Sequence, residues 1–200
     1  MTNRAAANIR GTKLGGIDVK RAAGSLAAVS ALLLTLAVVT PSAPSFAAQD
    51  TATSSIPIDP TTTLEMHTTA NCVKAENQCY FDTAANLRGA DGAFIPFPDN
   101  FYGRQNTTLR SSNRLVYLDS DFNAANTRMM KSIGPVELPT VYFGGGPPEK
   151  FMVHGNTRTV DWSTGQPKTD ADYIVCAFIQ VVYGGVNLTT PTACAQTTYA

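Results

Sequence analysis

The chain has 200 residues, 44% of them hydrophobic, and its 15 Lys and Arg balance its 15 Asp and Glu. That length is enough for one domain with a real core. With no basic cluster beyond the first 21 residues, the composition also argues against a nucleic-acid-binding protein.

Arg4, Arg10, Lys13, Lys20 and Arg21 make the first segment basic, and Ala22 to Val39 carries no charge. Pro41 to Ala48 follows, with the small residues Ser45 and Ala47 at the −3 and −1 positions of a peptidase site. This order predicts a secretory signal over 1–47, cleaved after Ala47. The apolar run is about long enough to span a bilayer. The proline-rich break after it favours cleavage over an anchor, so no membrane span is expected after cleavage. Residues 48–200 hold 14 acidic and 10 basic side chains, a balance that speaks against nucleic acid and anionic lipid as partners.

Residues 48–62 are rich in Thr, Ser and Pro and read as a flexible lead-in to a single β-rich domain over 63–200. Alternation from Thr63 to His67 predicts a first strand. Cys72 and Cys79 follow, and Cys176 and Cys194 lie far downstream. An exported chain with an even number of cysteines is expected to oxidise them. Proximity in sequence favours Cys72–Cys79 and Cys176–Cys194, while pairing Cys72 with Cys194 would instead staple the ends of the domain. No Cys-x-x-Cys is present, so a zinc site is not expected, and paired thiols leave none for catalysis.

Cys79 to Phe81 reads as a short strand edge, and Thr83 to Leu87 as a strand or a helical turn. Gly89 to Gly103 is a loop punctuated by Gly, Pro, Asp and Asn, and it carries Phe94, Phe97, Phe101 and Tyr102. Thr107 to Leu118 predicts one or two strands. Ser120 to Lys131, with Ala124, Ala125, Met129 and Met130, is the only helix candidate. Val136 to Phe143 predicts a strand placed at a sheet edge by Pro139. Gly144 to Pro148 breaks the chain, and Phe151 to Trp162 reads as a strand pair turning at Gly155-Asn156. Asp172 to Tyr183 is apolar on both faces, the mark of a central strand, and Val186-Asn187-Leu188 begins a return. Short strands separated by Gly and Pro turns imply an all-β fold. The expected architecture is a single disulfide-stabilised β-sandwich or small barrel with at most one short helix.

Few motifs carry chemistry. Asp119-Ser-Asp121-Phe-Asn123 starts like a calcium loop, but Ala124 replaces the turn glycine and Met130 the bidentate acid. Gly144-Gly145-Gly146 is followed by Pro147-Pro148 rather than by Lys and Ser or Thr, so it is a turn and not a phosphate cradle. His67 and His154 are the only histidines; a hydrolase would need His154 beside a serine and an acid such as Asp161. Glu137, Glu149, Asp170 and Asp172 are glycosidase acids by type only. Asn106 and Asn187 begin glycosylation sequons. No cofactor and no metal are expected. The aromatic loop is the candidate ligand contact, through Phe94, Phe97, Phe101 and Tyr102, because loop aromatics stack on sugars or anchor partners. The expectation is a secreted, non-enzymatic binding protein of the extracellular space or cell envelope, with a protein or glycan partner. The alternatives are a small secreted hydrolase and an oligomeric envelope pore.

Overall fold

A computed structural model describes residues 48–132 and 134–200; the predicted export signal over 1–47 lies outside them. The described chain is built of strands: β1 (Ala48–Asp59), β2 (Thr62–Val73), β3 (Gln78–Gly89), β4 (Phe94–Ile95), β5 (Tyr102–Arg110), β6 (Val116–Asn123), β7 (Met130–Lys131), β8 (Val136–Phe143), β9 (Met152–Asp161), β10 (Asp172–Tyr183), β11 (Val186–Thr189) and β12 (Ala193–Thr198). One antiparallel sheet has the order β1-β2-β3-β9-β6, with β4 beside β3. The other has the order β11-β10-β5-β8-β7, with β12 also on β10. The helical content is two short 3-10 turns, Lys74–Glu76 and Pro148–Phe151. The fold is therefore the all-β, disulfide-stabilised sandwich that the turn spacing implied. Among the described residues no helix is long and apolar enough to cross a membrane.

Three expectations about elements need correction. The lead-in at 48–62 is strand β1 and the start of β2, not a flexible tether. Ala52, Ile56 and Ile58 turn one face of β1 toward the core, and Thr, Ser and Pro occupy the other. Composition suggested a linker, but the period of two decides, and threonine suits a half-buried strand. The helix expected at Ser120–Lys131 does not form. Its first residues finish β6, paired with β9 as far as Asn123↔His154. Asn126 then takes a left-handed φ of 54°, which starts a turn. Finally, Phe151–Trp162 holds one continuous strand, β9, rather than two. Gly155 is a point of close approach: a Cβ there would collide with the Asp121 carbonyl and the Phe81 ring. Pro139 does lie near an edge, since β8 is flanked by β5 and by the two-residue β7.

The inward faces form two apolar clusters. One holds Leu64, Met66, Leu87, Phe151, Ile179 and Val181; the other holds Phe81, Leu109, Leu118, Leu138, Tyr173 and Val175. Along β2, β3, β5 and β8 the buried residues between the clusters are polar: Thr68, Thr83, Gln105 with Thr107, and Thr140. Gln105 is fully buried and spans the sheets. Its Nε2 donates to Thr83 Oγ1 at 2.8 Å and to Thr107 Oγ1 at 3.2 Å, and its Oε1 accepts from the Tyr142 hydroxyl at 3.3 Å. A buried network of this kind fixes which residues of the two sheets face each other. Gln105→Leu is expected to lower the unfolding free energy by about 1–3 kcal/mol, because the Tyr142 hydroxyl is left unpaired. Adding Tyr142→Phe should return part of that loss in chemical denaturation, since both partners are then apolar.

Both disulfides join directly paired residues. Cys72–Cys79 closes the β2–β3 hairpin on the buried face, and Cys176–Cys194 links β10 to β12 on the outward face. These are the two pairings favoured by proximity. The register gives the sandwich two ends. The disulfide end carries the β2–β3 turn, the β5–β6 and β9–β10 loops and Gly134-Pro135. The aromatic end carries the loop from Gly89 to Phe101 and the Gly144–Pro148 turn.

Candidate functional site

The four aromatic candidates do not form one surface. Phe97 is 3% exposed and Phe101 2%, so neither can touch a ligand. They belong to the core, with ring centroids 4.1 Å apart and Phe151 at 4.6 and 5.1 Å. The antiparallel bridge Phe97↔Gly146 and the Gly144 N–H bond to the Phe101 carbonyl draw this loop against the glycine turn. Phe94, at 58% exposed, remains outside beneath the Arg88 guanidinium. Tyr102 lies on the outward face of the second sheet against Phe143. Loop aromatics close to an open sandwich end are pulled inward by the apolar area they bury, and two of these four were.

The glycine turn offers carbonyls rather than amides. Lys150 Nζ donates to the carbonyl oxygens of Phe143, Gly144 and Gly145 at 2.8, 2.9 and 2.8 Å. That arrangement satisfies a cation and repels a phosphate. Asp119 pairs with Arg158 at 2.8 Å, and among the described residues no three His, Cys, Asp or Glu side chains group as metal ligands.

His154 is exposed on β9 and makes no side-chain hydrogen bond among the described residues. The hydroxyl, imidazole and carboxylate that do meet are Thr53, His67 and Glu65. Thr53 Oγ1 lies 3.0 Å from His67 Nδ1, and His67 Nε2 lies 3.1 Å from Glu65 Oε2. Burial pushes the Glu65 carboxyl up, but donors from Asn86 and Arg88 outweigh it and hold it below the ordinary range. An ionised Glu65 fixes the His67 proton on Nε2 and leaves Nδ1 to accept from Thr53. A hollow of about 230 Å³ lined by His67, Phe94, Pro148 and Met152 lies beside this chain.

The largest cavity among those described, about 510 Å³, is at the disulfide end. Arg110, Asn113, Arg114, Val116, Pro135 and Trp162 line it. Its walls come from the loops that join the two sheets, β5 to β6 and β9 to β10, so folding alone assembles it. Trp162 is 52% exposed and braced by Tyr117, with centroids 4.8 Å apart. The turn beneath it is tightly held. Asp161 Oδ1 accepts from the Ser163 hydroxyl at 2.6 Å and from the Ser163 and Thr164 N–H groups at 2.9 and 3.1 Å. Those donors, the Ser163 hydroxyl first, hold the Asp161 pKa at about 2. Gly165 closes the turn with a φ of 69°, and the Trp162 N–H donates to the Leu115 carbonyl at 3.0 Å.

The opposite wall is tied down by Asp172, the first residue of β10. Its Oδ1 accepts from the Ser111 hydroxyl at 2.8 Å and the Ser112 N–H at 2.9 Å, and its Oδ2 from Gln196 at 3.1 Å. Burial pushes this carboxyl up, yet the serine donors outweigh it and leave it below the usual range. Asn113 Oδ1 accepts the Leu115 N–H at 2.9 Å, which fixes the loop apex. The result is a braced hollow whose lining includes an indole and two arginines, a combination suited to orienting a small polar ligand.

Sequence reasoning missed this site. Trp162 reads as the end of a strand, and Arg110 and Arg114 fall in the Thr107–Leu118 segment, which reads only as one or two strands. One signal was available: the chain's only tryptophan stands in an Asp-Trp-Ser-Thr-Gly turn, where no core needs it. No family model and no curated protein sequence matches this chain.

Proposed function

We propose that the protein is an exported, non-enzymatic binding protein of the extracellular space or cell envelope, and that it holds its ligand in the Trp162 cavity. The observation that carries this reading is a half-exposed tryptophan, held by a fixed turn, that lines a cavity of about 510 Å³ together with two arginines. Surface tryptophans at such sites supply much of a binding energy. The two disulfides fit an oxidising compartment. The test is a glycan and peptide array probed with the purified protein and with Trp162→Ala. Specific retention that falls at least about tenfold in the variant supports the reading; equal retention by both overturns it.

A second reading, a small hydrolase, is favoured by the Thr53–His67–Glu65 chain. There the His67 Nδ1 lone pair would take the Thr53 hydroxyl proton as the oxygen attacks an ester, and return it to the departing alcohol. Turnover of p-nitrophenyl esters, lost in both Thr53→Val and His67→Gln, is the expected result of that reading. Activity unchanged in either variant removes it.

A further inference from the structure

Arg110 and Arg114, the two arginines that line the Trp162 cavity, have no carboxylate partner in direct contact among the described residues. Of the acids in or beside these loops, Asp161 and Asp172 accept from hydroxyl and amide donors and Asp170 pairs with Lys168, so none is bonded to either arginine. Two arginines that line the cavity thus keep their guanidinium forks without a carboxylate, and each fork matches a carboxylate in geometry.

We propose that the cavity binds a saccharide carrying an isolated carboxylate, a uronic acid residue within a glycan. This rests on the binding reading above and adds the class of ligand. The half-exposed Trp162 ring offers an apolar face to the C–H face of a pyranose, and Tyr117 behind it keeps the ring in place. The Asn113 side-chain oxygen is engaged by Leu115, which leaves its NH₂ to donate to a sugar hydroxyl. An isolated carboxylate is favoured over a densely charged polymer because residues 48–200 carry 14 acids against 10 bases, and that excess opposes a polyanion at longer range.

Trp162 is the only tryptophan in the chain, so its fluorescence reports on this cavity alone. The purified protein is titrated with glucuronosyl-xylobiose, a trisaccharide with a single carboxylate, with a neutral trisaccharide and with an acidic tripeptide, following Trp162 emission. The proposal expects a saturable change with glucuronosyl-xylobiose that weakens as salt rises, and at least about tenfold weaker binding of the neutral sugar. Arg110→Gln and Arg114→Gln should each cost at least about tenfold, and Arg114→Lys less, because it keeps the charge and loses the fork. Both arginines are exposed, and an unchanged thermal midpoint confirms that each variant is folded. Equal binding of the neutral sugar overturns the carboxylate and leaves the binding reading standing. A response to the tripeptide alone overturns the saccharide. Silence toward all three overturns the proposal, and the array with Trp162→Ala then decides separately whether the cavity binds anything.

Discussion

Deleting residues 48–59 is expected to abolish cooperative folding. Strand β1 contributes eleven cross-strand pairs with β2 and places Ala52, Ile56 and Ile58 against the core. It also seals the edge of the other sheet. The Thr197 hydroxyl donates to the Ala48 carbonyl at 2.8 Å, the Gln196 N–H to Asp50 at 2.8 Å, and the Ser54 hydroxyl to the Pro191 carbonyl. Full burial of an isoleucine is worth about 1.5–3 kcal/mol. Two of them, partly buried, with an orphaned β2 edge, take much of the roughly 5–15 kcal/mol by which a domain is stable. The truncated chain should lack a thermal transition by circular dichroism and elute as aggregate, because a bare edge strand recruits others. A flexible lead-in would leave the midpoint where it was, so an unchanged midpoint contradicts the structural role of β1.

Phe151→Ala is expected to cost about 3–5 kcal/mol, the range for removing a buried phenylalanine ring. Phe151 is fully buried at the end of the Pro148–Phe151 turn, and three aromatic rings contact it: Phe97 at 4.6 Å, Phe101 at 5.1 Å and Tyr142 at 5.3 Å. All three meet it edge to face, an arrangement worth more than the area it buries. Removing the ring leaves a void that this end cannot collapse, because the loop above is tied to Gly144 and Gly146. Guanidinium denaturation should show a lower midpoint with an unchanged slope. A loss below about 1 kcal/mol would mean that this end is closed by the backbone ties and not by the aromatic cluster.

Much of the fold was legible because it depends on local chemistry. The Gly and Pro turns separated the strands, and the doubly apolar Asp172–Tyr183 run is the strand that pairs β5, β11 and β12. The disulfides follow proximity because each closes directly paired residues. What failed depended on partners distant in sequence. Ser120 to Asn123 is a strand because β9 lies alongside it. Gly155 suggested a turn, whereas it answers the Asp121 backbone. The candidate site was the least legible part. Arg110 and Arg114 lie about fifty residues before Trp162 and line one cavity with it only because two loops share one end of the sandwich. Phe97 and Phe101 looked available because nothing in a loop sequence tells which way its rings turn.

We propose that ligand is held at the disulfide end, around Trp162, and not by the aromatic loop. The most direct test is an amide-resolved NMR titration of the purified protein with glucuronosyl-xylobiose. The account predicts shifts confined to Arg110 through Val116, Gly134 and Trp162 through Gly165. Shifts centred on Phe94 through Tyr102 and Phe143, or none at saturating sugar, would contradict it.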